Sequence, residues 1–300
     1  IIMFEISFTL NPKDYYLTCT AFSPDGNKVA VGSNNGYVFL FETENFTMLQ
    51  SKCIHKGAIN DINWSLDGNY ILTASDDMTL ILINESNFEQ RVYSDFEKQF
   101  VKCNLSKTGS YICGVTIEQL IVLWNENPYE CSNFELAHSD LITGLQFSND
   151  EKSLLTSSLD GLLRIWDIET FYLLKTISFK NPISASLFDP FENFVLVSTL
   201  DSKIHLIDFY ENKTLGYLTG HTNKKKISSL KIISPTKLMY QVITQDDNGT
   251  IFCWDLRTQD LLWKFLPNRS YLIPFNITNK GNILITTSKN GTMQFWKRRN

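Results

Sequence analysis

Short segments in which apolar and polar residues alternate run along the whole chain, separated by clusters of Gly, Asn, Asp and Ser. The clearest example lies in residues 137–167, where three such segments occupy 141–147, 154–158 and 162–167. A tight Leu-Asp-Gly turn at 159–161 joins the last two segments. Alternating segments of about five to seven residues joined by turn clusters are typical of an antiparallel meander. This stretch therefore predicts one antiparallel sheet.

The same pattern recurs along the chain. Each unit ends its third predicted strand with a large apolar or aromatic residue, and successive closing residues are 42, 41, 42, 41, 47 and 42 positions apart. These closing residues are Phe41, Ile83, Trp124, Trp166, Ile207, Trp254 and Trp296. Two of them open Trp-Asp pairs. A period of about 40–45 residues with this dipeptide is typical of WD repeats. The sequence thus predicts an all-β, seven-bladed WD-repeat β-propeller with four antiparallel strands per blade.

We expect residues 1–300 to form a single propeller domain. Its predicted repeats lie at about 11–52, 53–93, 94–136, 137–178, 179–219, 220–266, and 267–300 together with 3–9. The last repeat holds only three strands, which would leave an open sheet edge and an aggregation hazard. An alternating strand at 4–9 belongs to no other unit. We therefore expect the N-terminal strand to close the last blade.

Composition narrows the classes of function. A net charge of −5 lacks the basic footprint of a nucleic-acid-binding protein, so we expect no direct nucleic acid partner. The six cysteines form no C-x-x-C pair and, with four histidines, give no metal-ligand spacing, so we expect no metal and no cofactor. Three of them, Cys103, Cys113 and Cys253, fall in predicted strands and suit a reduced core. No apolar run reaches the length of a membrane span, so we expect no membrane association.

The fourth repeat can supply a buried polar network. In well-formed WD repeats a loop histidine, a strand serine, a turn aspartate and the tryptophan form a hydrogen-bonded chain. Here these members would be His138, Ser157 (or Ser158), Asp160 and Trp166. The same residue types could make a Ser–His–Asp triad, but a triad is defined by geometry, and we expect a structural network.

No enzyme motif is found in the sequence. It contains no G-x-G-x-x-G, no phosphate-binding G-x-x-x-x-G-K-[ST], no H-E-x-x-H and no G-x-S-x-G. We therefore expect no catalytic residues and no enzymatic activity. A propeller enzyme, with an acid, base or metal set at the channel mouth, stays as an alternative because fold alone does not exclude function.

Several sequence segments resemble one group of WD-repeat proteins. Ala-Ser-Asp-Asp-Met-Thr-Leu at 74–80, the whole of 137–167, and Gly-His-Thr-Asn-Lys at 220–224 resemble the core WD-repeat subunit of Set/MLL-type (COMPASS) histone H3 methyltransferases, in its fungal form. The resemblance runs through all seven repeats. It implies a nuclear, non-catalytic scaffold for lysine-4 methylation, which reaches chromatin indirectly. It further implies two partners, a SET-domain methyltransferase subunit and a second WD-repeat subunit.

The resemblance also implies a partner-binding site at the mouth of the central channel. Asp76 is retained there and Thr143 replaces a serine by another hydroxyl. In the animal form two aromatic rings clamp an arginine of the methyltransferase. Their positions hold Val101 and Ser229 here, and Lys226 replaces a channel tyrosine. Without the cation–π sandwich, worth about 2 kcal/mol when desolvated, we do not expect the same arginine clamp.

A second site implied by the resemblance is an outer cleft between the fifth and sixth blades, which holds a tail of the partner WD-repeat subunit. Phe194 and Leu206 match its aromatic and aliphatic walls, as a hydrophobic peptide groove requires. The alternative is that both residues are ordinary blade packing. A WD-repeat adaptor of another assembly, in translation initiation or ubiquitin ligation, is the alternative scaffold function.

Overall fold

The computed structural model describes most of the chain. The described residues are 4–10, 15–94, 97–126, 129–134, 137–189, 193–221, 226–236, 239–267, 272–288 and 292–298. Within them every element of regular secondary structure is a β-strand. The strands form seven four-stranded sheets, and every strand pairing that is described is antiparallel. The predicted seven-bladed β-propeller fold is confirmed.

Four blades come from the two ends of the chain. Blade 1 consists of β2 (Leu17–Phe22), β3 (Lys28–Ser33), β4 (Tyr37–Glu42) and β5 (Met48–Cys53). Blade 2 consists of β6 (Ile59–Trp64), β7 (Tyr70–Ser75), β8 (Leu80–Asn84) and β9 (Gln90–Tyr93). Blade 3 consists of β10 (Phe100–Leu105), β11 (Tyr111–Thr116), β12 (Ile121–Glu126) and β13 (Tyr129–Phe134). Blade 7 consists of β26 (Leu272–Ile277), β27 (Ile283–Ser288), β28 (Met293–Arg298) and β1 (Phe4–Leu10).

The remaining three blades come from the middle of the chain. Blade 4 consists of β14 (Ile142–Phe147), β15 (Ser153–Ser158), β16 (Leu162–Asp167) and β17 (Leu173–Ser178). Blade 5 consists of β18 (Ile183–Phe188), β19 (Phe194–Thr199), β20 (Ile204–Asp208) and β21 (Thr214–Leu218). Blade 6 consists of β22 (Ile227–Thr236), β23 (Met239–Asp246), β24 (Ile251–Asp255) and β25 (Leu261–Phe265).

The chain divides into two compact units, one of residues 3–137 and 275–300 and one of residues 138–274. Each unit has its own apolar clusters between neighbouring blades. The strand positions that build these clusters are the alternating apolar positions of the sequence. The prediction that all seven repeats form a single domain stays a prediction.

The N-terminal strand closes blade 7, as predicted. β1 pairs antiparallel with β28, with Phe4 opposite Arg298 and Leu10 opposite Met293. Its Phe8 ring lies 5.8 Å from the ring of Phe46 and 5.9 Å from that of Phe295. The strand therefore satisfies the edge of β28 and also packs into an aromatic cluster shared with blade 1.

One strand prediction needs a correction. The segment 46–49 reads as the outer strand of blade 1, but that strand is Met48–Cys53. Phe46 instead lies in a turn with φ of 58°. Its side chain is 8% exposed, and its ring lies 4.7 Å from that of Phe295. Burial of this ring, which alternation alone does not predict, places the residue outside the strand.

The longer spacing before Trp254 has a local cause. β22 and β23 have 10 and 8 residues, and their pairing extends to Thr236 opposite Met239. The extra residues of the sixth repeat thus lengthen this hairpin. Residues 237–238 lie outside the described part.

A β-bulge recurs at the start of the innermost strand in six blades. The register shifts after Leu17, Ile59, Phe100, Ile142, Ile183 and Ile227. The bulged residues are Thr18, Asn60, Val101, Thr143, Ser184 and Ser228. A bulge redirects its side chain away from the regular pleat. These positions include two of those discussed for the channel mouth.

Candidate partner-binding sites

Blade 4 contains the predicted polar network with one changed member. His138 Nδ1 lies 2.9 Å from Asp160 Oδ2, and His138 Nε2 lies 2.8 Å from Thr156 Oγ1. The Trp166 indole N–H donates to Thr156 Oγ1 at 2.9 Å. The central hydroxyl is therefore that of Thr156, and the prediction of Ser157 is wrong.

Strand geometry explains this correction. Trp166 is opposite Leu154 in the sheet, so residues 154 and 156 share the tryptophan's face while Ser157 points to the other face. There Ser157 accepts a hydrogen bond from Ser186 Oγ at 2.8 Å and lies 3.3 Å from Thr143 Oγ1. Ser157 thus belongs to a separate hydroxyl cluster between blades 4 and 5.

The network is closed to substrates. Thr156 is fully buried and His138 is 5% exposed. Burial lowers the pKa of His138, and its hydrogen bond with Asp160 only partly opposes this shift. Burial acts to raise the pKa of Asp160, but hydrogen bonds from the Leu162 N–H and from His138 lower it overall. A neutral imidazole thus bridges an ionised carboxylate and a buried hydroxyl, and the hydroxyl is not accessible as a nucleophile.

Blade 2 contains an incomplete copy of the network. His55 Nδ1 lies 3.0 Å from Asp77 Oδ2, and His55 Nε2 lies 2.8 Å from Thr73 Oγ1. Ile83 takes the place of the tryptophan. Burial lowers the pKa of His55 against the opposing effect of Asp77.

Blade 6 lacks the carboxylate instead. His221 Nε2 lies 2.7 Å from Thr244 Oγ1, which also accepts from the Trp254 indole at 3.0 Å. Asn248 occupies the position of the aspartate once the five-residue insertion is counted. Among the described residues, His221 Nδ1 has no hydrogen-bond partner. Burial lowers the pKa of His221 to about 4.

A signal in the sequence could have identified the central hydroxyl. Thr73, Thr156, Thr244 and Thr286 each lie ten positions before the residue that closes the third strand. In blade 7 the Trp296 indole likewise donates to Thr286 Oγ1 at 2.9 Å. In blade 4 this spacing alone separates Thr156 from Ser157 and Ser158, which follow it.

Asp76, the first channel-mouth candidate, lies half-buried at the turn after β7 in the first unit. Its Oδ1 accepts a hydrogen bond from Asn60 Nδ2 at 2.7 Å. The same amide group donates to the Phe100 carbonyl of blade 3 at 2.9 Å. Asp76 therefore orients a side chain that links two blades, and its role toward a partner stays a prediction.

Thr143, the second candidate, is half-buried on β14 in the other unit, and it also links blades. Its hydroxyl donates to the Ile183 carbonyl of blade 5 at 2.9 Å. Thr18 donates in the same way to the Ile59 carbonyl of blade 2 at 2.5 Å. These bulged side chains therefore stabilise the contact between successive blades. The hydroxyl at 143 has a structural reason to be there whether or not a partner contacts it.

The positions that replace the aromatic clamp differ in exposure. Val101 is half-buried at the bulge of blade 3, Ser229 is buried on β22, and Lys226 is exposed before it. An aliphatic group, a hydroxyl and an ammonium group offer no aromatic face to an arginine. The expectation that this chain lacks the arginine clamp stays a prediction.

The outer-cleft candidates belong to the apolar cluster between blades 5 and 6. Leu206 is 4% exposed and packs inside this cluster, while Phe194 is partly buried and packs against it. Beside them, a Cβ on Gly216 would lie 2.3 Å from the Gln259 side chain of blade 6, so the two blades approach closely here. The structure brings Phe194 and Leu206 together, and only Phe194 retains accessible surface for a partner.

Metal-ligand clusters and membrane-spanning helices are both absent from the described residues. Among the described residues, no cluster of three or more His, Cys, Asp or Glu side chains could hold a metal ion. The described part also contains no helix with the length and hydropathy of a membrane span.

Cys103, Cys113 and Cys253 are buried, as predicted, and burial raises the pKa of the Cys113 thiol.

Comparison with known proteins gives the same fold. The family described as WD domain, G-beta repeat, matches residues 5–42, 47–84 and 130–167. COMPASS component SWD3 of Saccharomyces cerevisiae is 25% identical over 302 residues, which cover 93% of this chain and 94% of that protein. Periodic tryptophan protein 2 of Arabidopsis thaliana is 23% identical over 71% of this chain and 24% of its own length. Pre-rRNA-processing protein IPI3 of Mycosarcoma maydis is 26% identical over 66% of this chain and 31% of its own length.

The matched repeats are offset from the blades. The match at 47–84 covers β5, the outer strand of blade 1, and then the three inner strands of blade 2. The match at 130–167 covers β13 of blade 3 and the three inner strands of blade 4 in the same way. Each sequence repeat thus contributes to two successive sheets, and β1 supplies the outer strand that the last sheet needs.

Proposed function

We propose that this chain, a WD-repeat β-propeller protein, is a non-catalytic interaction scaffold and a subunit of a nuclear COMPASS-type histone H3 lysine-4 methyltransferase complex. The observation that carries the proposal is the extent of its similarity to SWD3. That match covers 93% of this chain and 94% of the relative, so the alignment runs through nearly all of both sequences. The other two relatives match over less than a third of their own length.

The geometry of the histidines supports a scaffold. The Ser–His–Asp combination that could have served as a triad in blade 4 does not assemble, because Thr156 takes the histidine and is fully buried. A nucleophile must reach its substrate, and this one cannot. In this proposal a SET-domain partner performs catalysis, while this chain contributes surfaces that position the partner.

Two surfaces are assigned to partners. We assign the turn that holds Asp76 in one unit and, independently, Thr143 in the other unit to the SET-domain subunit. We assign the blade 5–6 cleft beside Phe194 and Leu206 to a second WD-repeat subunit. The cleft joins an accessible aromatic ring to a buried aliphatic wall, a combination that suits an apolar peptide segment. Contact with chromatin would be indirect, through these partners.

The alternative is a WD-repeat scaffold of another assembly, such as a translation-initiation or ubiquitin-ligase adaptor. The diversity of the relatives, which include a pre-rRNA-processing protein, supports keeping this alternative. Affinity purification of the tagged full chain from its own cells, followed by mass spectrometry, separates the two. We expect a SET-domain protein and a second WD-repeat protein to co-purify in near-stoichiometric amounts. Their absence, with another assembly recovered intact, would contradict the proposal.

A single substitution tests the outer cleft. Phe194→Ala should weaken recovery of the second WD-repeat subunit and leave that of the SET-domain subunit unchanged. Phe179→Ala is the matched control, since Phe179 is also partly buried but packs in the cluster between blades 4 and 5. Equal recovery of the WD-repeat subunit by both variants, with both folded by circular dichroism, would count against the cleft. Leu206→Ala is less informative because removing a buried leucine costs about 2–5 kcal/mol of stability.

A further inference from the structure

The two most exposed large hydrophobic side chains of the described residues lie on neighbouring blades. Tyr172 is 74% exposed and Tyr210 is 72% exposed. Each lies in or beside the turn between the third and outer strands of its blade, Tyr172 in blade 4 and Tyr210 in blade 5. Neither the polar networks nor the two candidate partner sites use these rings.

Both turns are held rigidly in the same conformation. In blade 4 the Asp167 N–H donates to the Tyr172 carbonyl at 2.9 Å, and in blade 5 the Asp208 N–H donates to the Lys213 carbonyl at 2.8 Å. Asp167 Oδ1 accepts from the Thr170 N–H at 2.7 Å. Asp208 Oδ1 accepts from the Tyr210 N–H at 2.8 Å. The two tyrosines are therefore displayed on fixed backbone, which reduces the entropy lost when a partner binds.

Lys175 joins the two turns. Its Nζ donates to the carbonyl of Phe209 and lies 3.4 Å from that of Tyr210, so the outer strand of blade 4 holds the turn of blade 5. The same ammonium group lies 5.3 Å from the centre of the Phe209 ring. Tyr210 packs edge-on against that ring at 5.2 Å. Lys175 lies three residues after Tyr172, so the blade 4 hairpin that carries Tyr172 lies next to the blade 5 turn that carries Tyr210.

Leu173 and Leu174, which follow Tyr172 on β17, are 45% and 58% exposed. Leu173 lies opposite Trp166 while Lys175 lies opposite Ile165, so Leu173 faces away from the side of the sheet that contacts blade 5. We therefore define the tyrosine patch as Tyr172 and Tyr210 alone. Exposed aromatic side chains of this kind are common in interaction sites. Tyrosines are favoured in such sites because they bury a large area with little loss of side-chain entropy.

The charges around the tyrosine patch select its partner. The two turns and β17 up to Lys175 carry four carboxylates, on Asp167, Glu169, Asp208 and Glu211, and two ammonium groups, on Lys175 and Lys213. Lys175 is already engaged by carbonyls of blade 5. Glu169 and Glu211 are exposed and make no ion pair among the described residues. The surface is therefore acidic and aromatic.

We propose that the tyrosine patch binds an arginine-rich segment of a partner protein. A guanidinium group can stack on a tyrosine face while it donates to a neighbouring carboxylate, and arginine does both better than lysine. The acidic border favours the approach of a basic segment. This site is separate from the Asp76 turn and the blade 5–6 cleft, and it does not depend on which complex contains the chain.

The test uses the full chain and a fluorescent peptide of alternating arginine and glycine. Binding is measured by fluorescence anisotropy at two salt concentrations. We expect Tyr172→Ala with Tyr210→Ala to weaken binding about tenfold, the effect of two lost cation–π contacts. Glu169→Gln with Glu211→Gln should weaken it about threefold, and replacing arginine by lysine in the peptide should also weaken it.

Two double variants control for general charge and exposure. Tyr16→Ala with Tyr70→Ala removes two exposed tyrosines of other blades, and Glu89→Gln with Glu130→Gln makes the same change in net charge. Neither should change the affinity more than about twofold. Hydrogen exchange should show protection by the peptide in residues 167–175 and 208–213. Failure of the wild-type chain to bind, or equal weakening by the controls, would overturn the proposal.

Discussion

The indole of Trp166 and the hydroxyl of Thr156 meet at 2.9 Å in the centre of blade 4. A hydroxyl that accepts from the indole can donate its own proton to His138 Nε2, which lies 2.8 Å away. The imidazole proton then lies on Nδ1 and faces Asp160. One threonine thus sets the histidine tautomer and connects two strands, β15 and β16, to the loop that enters the blade.

Thr156→Val should destabilise the protein by about 2–4 kcal/mol, because it leaves both the indole N–H and the histidine Nε2 buried without their partner. The change keeps the shape of the side chain, so the loss reports the hydrogen bonds. Thr176→Val on the exposed side of β17 is the control and should cost little. Chemical denaturation monitored by tryptophan fluorescence measures both. A Thr156→Val variant as stable as the control would show that the network contributes little.

Deletion of residues 1–10 should lower the melting temperature by many degrees and promote aggregation. It exposes the edge of β28 and removes Phe8 from the cluster with Phe46 and Phe295. A chain that lacks only residues 1–3 retains β1 and should melt like the full chain. Scanning calorimetry of the three proteins tests the expectation. Unchanged melting of the longer deletion would mean that β1 contributes nothing to closure.

Thr143→Val should lower the free energy of unfolding by about 1–2 kcal/mol, since it leaves the Ile183 carbonyl without its hydroxyl donor. Thr143→Ser keeps the donor and should stay close to wild type in stability. The pair also separates structure from recognition. If both variants bind the methyltransferase subunit as well as the wild type, the hydroxyl acts only between blades, and the assignment of Thr143 to a partner would be rejected.

Stability should fall as the pH drops from about 6.5 towards 4. The pKa of His221 is lowered by burial from 6.5 to about 4 in the folded chain. Between these values the unfolded chain binds the proton and the folded chain does not, so acidification favours unfolding by up to about 3 kcal/mol for this residue. The lowered pKa values of His55 and His138 act in the same direction.

The measurement is urea denaturation at several pH values, for the wild type and for His221→Gln. The variant lacks the titrating group, so its stability should depend less on pH in this window. Below about pH 4 a second loss should begin in both proteins. There the carboxylates with lowered pKa, such as Asp77 and Asp160, become protonated and lose their hydrogen-bonded charge. Identical pH dependence of the two proteins above pH 4 would rule out His221 as the cause.

The sequence was sufficient to predict the fold because its strongest signals are local and repeated. The closing residues define the seven blades, and the unassigned strand at 4–9 pairs where an unfilled edge required it. Strand 162–167 has the predicted bounds. These features depend on alternation and spacing, which are read directly from the residues.

The details that the sequence did not predict depend on which way a side chain points. Ser157 and Thr156 are adjacent and both carry hydroxyls, so a shift of one residue exchanges the polar network for the cluster with Ser186. Phe46 directly precedes the outer strand of blade 1, but its side chain is buried against Phe295. The bulges that turn Thr143 and Thr18 towards the next blade are invisible to a period-two pattern. Partner-binding surfaces are hard to predict from the sequence for the same reason, since a half-buried residue such as Phe194 can serve both packing and recognition.

The offset between sequence repeats and blades bears on how such a chain can change its length. Because one repeat supplies the outer strand of one sheet and three strands of the next, gain or loss of a whole repeat leaves every sheet with four strands. Only the number of blades would change, and β1 could still pair with whichever sheet came last. Duplication of a gene segment can therefore add a blade without ever passing through a protein with an unpaired edge.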